Sequence, residues 1–232
     1  MKKRGIHILI FALAIGGINS CKKDVETAPV DLGYEYFPDD IGSYIIYEVD
    51  SIAYDDAVQL TPDTTRYLLK EYVQSIFNDN SGRPTMRIER YKKMYNPSVP
   101  YDLMQWVISD IWTANRTTTT AEKTEENIRY IKLVFPVVKG KEWNGNAFNT
   151  LGQKDYEIIS IDKAEVINNI SFDSVVTVSQ FFMDNAIEYI NEEEKFAKHV
   201  GLIYKQSENI YHGAGEDTVG YTFTQKIISY GK

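Results

Sequence analysis

The stretch YLLKEYVQSIF-NDNSGRP-TMRIERYKKMY, residues 67–95, decides the fold. Its first part is ambiguous: Leu68, Leu69, Tyr72, Val73, Ile76 and Phe77 also fit a helical stripe. The adjoining turn settles it as a strand. Asn78-Asp79-Asn80-Ser81-Gly82-Arg83-Pro84 concentrates turn residues between two segments of similar length, which is the layout of a hairpin. Beyond the turn, Met86, Ile88 and Met94 alternate with Arg87, Glu89 and Lys93, the period of a half-buried strand.

Working outward, Ile45, Tyr47 and Val49 share one face of a segment Tyr44 to Tyr54, with Glu48 and Asp50 on the other. A second long hairpin is expected from residues 105–120 and 127–138, joined through the charged stretch Glu122 to Glu126. Further strands are expected over 156–161, 174–180, 186–191, 201–208 and 221–230. Asn191 to His199 reads as the best short helix, with Asn191 as cap, glutamates leading and Gly201 ending it; a strand bend fits it equally. The fold class is therefore mainly β and antiparallel. It is either one strongly curved sheet, a half-barrel, or a two-sheet sandwich, with at most one or two short helices.

The start of the chain carries a different kind of signal. Lys2, Lys3 and Arg4 precede an almost wholly apolar run from Ile6 to Ile18. That run is shorter than the roughly 20 residues of a membrane-spanning helix and suits a signal peptide. Ile18-Asn19-Ser20-Cys21 resembles the bacterial lipobox. In that class the resemblance implies cleavage before Cys21 and acylation of its thiol and new amine. More than one acyl chain anchors stably, at about 0.8 kcal/mol per buried CH2. Residues 1–20 thus read as a lipoprotein signal peptide and 21–33 as a flexible tether, polar and acidic with Pro29. Residues 34–232 read as a single β-rich domain. Lys22-Lys23-Asp24 after the cysteine lacks an acidic residue at the first position, so the outer membrane is the expected address, facing either side.

Charge and cysteine count narrow the function. The leader removes three of 25 basic residues and no acid, leaving 22 against 33 and a formal charge of −11. Such a surface repels phosphate backbones and anionic headgroups, so no nucleic-acid partner is expected and attachment comes from the lipid on Cys21. Cys21 is the single cysteine, which excludes a disulfide, a thiolate metal site or a cysteine nucleophile in the folded body. Of the histidines, His199 and His212 remain and form no metal-binding pair, so no metal or cofactor is expected.

Tyr36-Phe37-Pro38 with Gly42 and Tyr47, and Phe196-Ala197 with Val200-Gly201-Leu202-Ile203-Tyr204-Lys205, resemble uncharacterised bacterial exported lipoproteins. These show an aromatic-Pro entry and a closing "YA…VGL" strand. The resemblance implies a curved antiparallel sheet and transfers no catalytic residue; His199 stands where such sequences often carry glycine or proline.

No nucleophile elbow, phosphate loop or His-Glu-x-x-His motif is present. Asp55-Asp56 and Glu192-Glu193-Glu194 could supply paired carboxylates, but glycoside hydrolysis needs them facing across a cleft, so solvated charge is the better reading. His212-Gly213-Ala214-Gly215-Glu216-Asp217 reads as a connection between the last two strands rather than a metal loop. Seventeen tyrosines with Trp106, Trp112 and Trp143 favour sheet packing. Trp106 and Trp112 are expected on one strand face, and Trp143, before the turn signal Asn144-Gly145-Asn146, is the aromatic expected to meet a ligand. Ser51, Thr64, Ser174 and Thr218 each follow an aspartate in a segment resembling an Asp-(Ser/Thr)-apolar O-glycosylation acceptor; ordinary turn chemistry explains the same pairs. The expected role is a non-enzymatic binding or accessory module for a glycan or partner protein. The alternative is a carrier enclosing an apolar ligand such as a lipid in a concave sheet.

Overall fold

The computed structural model describes residues 31–55, 61–212 and 218–232, with Tyr101 described by its backbone. Cys21, the segment read as a signal peptide, most of the expected tether, Asp56 and the glycine-rich loop after His212 lie outside the described residues.

Twelve strands form one antiparallel sheet: β1 (Tyr44–Asp55), β2 (Asp63–Asn78), β3 (Pro84–Met94), β4 (Val107–Arg116), β5 (Thr120–Glu125), β6 (Ile128–Val134), β7 (Glu142–Asn144), β8 (Asp155–Ile167), β9 (Ile170–Asp184), β10 (Glu188–Ala197), β11 (Gly201–His212) and β12 (Thr218–Gly231). The order across the sheet is β6-β5-β4-β3-β2-β1-β12-β11-β10-β9-β8-β7, so the first and last strands pair and the two edges are consecutive in sequence. This is the curved single sheet, and the sandwich alternative is set aside. The expected hairpin is present, Asp79 ordering its turn by accepting from the backbone N–H groups of Ser81 and Arg83.

The sheet curls until its edges nearly meet. Ile131 N–H on β6 donates to Gly145 O at 2.9 Å, and the Trp143 indole donates back to Ile131 O at 2.9 Å. Closure of this kind removes most of the exposed strand edge that invites aggregation. Gly145 is required at the seam, because a Cβ there would stand 2.4 Å from the Tyr156 ring.

Residues 31–39 lie across one end. Tyr36 and Phe37 enter a core that includes Met86, Ile88, Leu133, Ile158, Val178 and Phe196. The Arg116 guanidinium donates to the carbonyls of Tyr34 and Phe37 and to Asp39, while Glu35 O accepts from His199 N–H. Asp31 pairs with Lys198 at 2.9 Å and Leu32 O accepts from Val137 N–H, so these residues, read from sequence as the end of the tether, are bonded to the body. A second cluster joins Phe172 and Val175 of the β8–β9 hairpin to Tyr47, Leu69, Ile203 and Ile227.

Three expectations are corrected. Asn191 to His199 is not a helix: its residues through Ala197 belong to β10, followed by a turn in which His199 takes a positive φ of 64°. The charged stretch Glu122 to Glu126 is not a simple connection, because Thr120–Glu125 is itself β5, paired on both sides. The expected strand over 105–120 is shorter, so Trp106 precedes β4 and does not share its face with Trp112.

Candidate functional site

The interior of the curled sheet carries charge. Glu71 on β2 accepts from Arg90 Nε on β3 at 3.0 Å and from Lys123 Nζ on β5 at 2.8 Å. Arg90 also reaches Asp110 on β4 at 3.2 Å. Farther round, Lys132 on β6 pairs with Glu125 on β5 and Glu194 on β10, both at 2.9 Å. Lys205 on β11 approaches the same two carboxylates at 3.5 and 3.6 Å. β6 and β10 are far apart in the sheet order, so the Lys132–Glu194 pair spans the concavity. Four acids and four bases thus balance one another, most of them buried and Asp110 and Lys205 partly exposed. Such pairs are net neutral at best unless their geometry is good, but removing one partner is strongly destabilising.

Trp112 lies within this network. The Arg90 guanidinium carbon sits 3.4 Å from the centre of its ring and Lys123 Nζ 5.0 Å away, so the indole face offsets part of the desolvation of both cations. Its Nε1 donates to Glu126 at 3.2 Å.

Protonation is set by this packing. Burial pushes the Glu71 carboxyl up, but Lys123 and Arg90 outweigh it and hold the group below its ordinary value. Burial likewise opposes ionisation of Glu125, and Lys132, Lys205 and Lys123 overcome it. Lys132 is penalised by burial yet held above its ordinary value by Glu125 and Glu194. Glu71, Glu125 and Lys132 are therefore shifted away from neutrality, the reverse of what general acid–base chemistry needs. Among the described residues no three metal-binding side chains converge.

A partly open cavity of about 110 Å3 abuts the network. Its deep end is formed by Glu71, Lys123, Glu125, Lys132 and Glu194, its wall by apolar side chains such as Met86 and Phe196, and its outer end is bordered by Asp40 and the half-exposed Tyr230. A shallower groove of about 580 Å3 runs along the segment between β3 and β4, lined by Lys92, Met94, Leu103 and Val107 among others.

The residues singled out from sequence are dispersed. Trp143 is half-buried at the seam, its indole N–H engaged by Ile131 O and its ring 5.8 Å edge-on from Tyr156. Ser51 is half-buried on β1, Thr64 is exposed on β2 and Thr218 begins β12 half-buried. The Ser174 hydroxyl donates to Asp162 at 2.6 Å and lies 2.8 Å from the Tyr36 hydroxyl, beside Lys198. Glu192-Glu193-Glu194 is not solvated charge: Glu192 pairs with Lys154, and Glu194 is 1% exposed. The inward charges had no sequence signal, since Lys132 and Glu194 stand 62 residues apart.

No protein-family model matches the chain, and no curated protein is similar to it. Among solved structures, the chain has a likeness to a protein from Parabacteroides distasonis ATCC 8503 described as a "putative lipoprotein". The match has 14% identity and a TM-score of 0.33, and covers 83% of this chain and 98% of that one.

Proposed function

We propose that the protein is a lipoprotein of the bacterial envelope, anchored in the outer membrane through acylated Cys21, whose barrel is a non-enzymatic binding or accessory module for a glycan or partner protein. The observation that carries the anchor is the run Lys2-Lys3-Arg4, an apolar core and Ile18-Asn19-Ser20-Cys21. The body supports a binding role over catalysis, because Glu71, Glu125 and Lys132 are locked in ion pairs far from neutrality. A lipid carrier is less well supported. Its ligand needs an apolar, unfilled concavity of about 300 to 1,000 Å3, whereas eight charged side chains and a cavity of about 110 Å3 occupy this interior.

The chain enters the barrel at the end covered by residues 31–39. At strand ends away from residues 31–39, Met94, Val107, Ile108, Phe182 and Ile187 are exposed apolar side chains. O-glycosylation at the Asp-Ser and Asp-Thr sites is part of this reading, with exposed Thr64 the best placed and hydrogen-bonded Ser174 the worst.

The test is fractionation of cells expressing the full chain or Cys21→Ser with radiolabelled palmitate. The reading expects label and outer-membrane sedimentation for the first and neither for the second. Unlabelled, soluble wild-type chain contradicts it.

A further inference from the structure

Glu194 poses a specific chemical question. Its Oε1 accepts from Lys132, yet among the described residues no group hydrogen-bonds its Oε2, although the side chain is 1% exposed and lines the cavity. A buried acceptor left without a donor keeps its full desolvation penalty, larger still when charged, so such an atom calls for a donor. Lys132 lies beside it, two of its three N–H groups directed to Glu125 and Glu194. The deep end of the cavity therefore offers an acceptor and a donor together.

Charge and shape choose among the groups that could answer both. The surrounding network is balanced, four acids against four bases, so an ammonium or carboxylate head would add an uncompensated charge among largely buried groups. A hydroxyl adds none, and it donates and accepts at once. The wall above is apolar, with Val73, Met86, Ile88 and Phe196, which excludes a sugar with hydroxyls all round. The volume, about 110 Å3, is somewhat below the roughly 150 Å3 that admits benzene, and the partly open cavity gives a short tail room to extend.

We propose that this cavity is a binding site for a small neutral alcohol, its hydroxyl donating to Glu194 Oε2 and accepting from Lys132 Nζ, its short alkyl tail packed on Met86, Ile88 and Phe196. The site belongs to the folded body and is independent of how the chain is anchored.

The test titrates the mature chain, labelled with 13C at the methionine methyls, with n-butanol, n-butylammonium chloride or sodium butyrate. Five methionines in the whole sequence keep the spectrum simple, and Met86→Leu assigns the reporting signal. The expected result is a saturable shift of the Met86 methyl with n-butanol, and binding of either ion about tenfold weaker or worse. Glu194→Gln weakens the alcohol about tenfold, and Ile88→Phe, which fills the space, abolishes saturation. A Met86 signal that never saturates means the cavity takes water only and overturns the proposal. Equal or tighter binding of an ion, or unchanged binding to Ile88→Phe, overturns it as well.

Discussion

Lys132 on β6 and Glu194 on β10 meet at 2.9 Å across the concavity of a sheet in which their strands are not neighbours. The pair ties two non-adjacent strands together across the interior, with Glu125 on the second side of the lysine.

Lys132→Met leaves two buried carboxylates with one fewer cation and is expected to cost about 3 to 5 kcal/mol. The double change Lys132→Met with Glu194→Leu is expected to cost less than the single change, since it removes a stranded charge together with its partner. Urea denaturation of the four species measures the coupling. Additive losses would show that the two side chains do not act as a pair.

Acid should undo the same network. Glu71 and Glu125 are held below their ordinary values, so the stability they contribute is complete above the unfolded value of about 4.3 and is lost as pH falls toward their folded values. Urea midpoints should be level from neutrality to about pH 5 and fall steadily below about pH 4. Lys132, held above its ordinary value, has the opposite sign: its contribution is complete below about pH 10.4 and is lost above it. A midpoint unchanged down to pH 3 would contradict these ion pairs.

The seam makes its own prediction. Trp143→Phe removes the indole donor to Ile131 O and should cost about 1 to 3 kcal/mol, with faster hydrogen exchange along β6. Gly145→Ala should cost at least as much, because the new methyl would collide with Tyr156. A stable Trp143→Phe protein with unaltered exchange would contradict a role for the Trp143–Ile131 hydrogen bond in closing the seam.

Glycosylation is separable by position. Peptide mass spectrometry of native protein should find any hexose-bearing residue at Thr64 before Ser174, whose hydroxyl is bonded to Asp162. Occupancy of Ser174 with Thr64 bare would contradict the assignment by accessibility.

The sequence disclosed most of the sheet because alternation and turn chemistry are local. Ile45, Tyr47 and Val49 do point to one side, and Asp79 does organise the turn before Pro84. It misled where charge points inward. Glu122 to Glu126 looked like a charged connection and Asn191 to His199 like a capped helix or a strand bend, because both are rich in glutamate and lysine. In the fold Lys123 and Glu194 are buried and Glu125 is mostly so, each paired with a side chain from another strand. A single-chain pattern cannot announce partners that only closure brings together, and the cavity beside Glu194 was invisible for the same reason.

The anchor remains the point on which location and purpose turn. Intact-mass spectrometry of the protein purified from native membranes tests it most directly. A chain starting at residue 21 and heavier than its peptide by three acyl groups with a glyceryl thioether is the predicted result. A chain that retains Met1 to Ser20, or that begins at residue 21 with a free thiol, would contradict it.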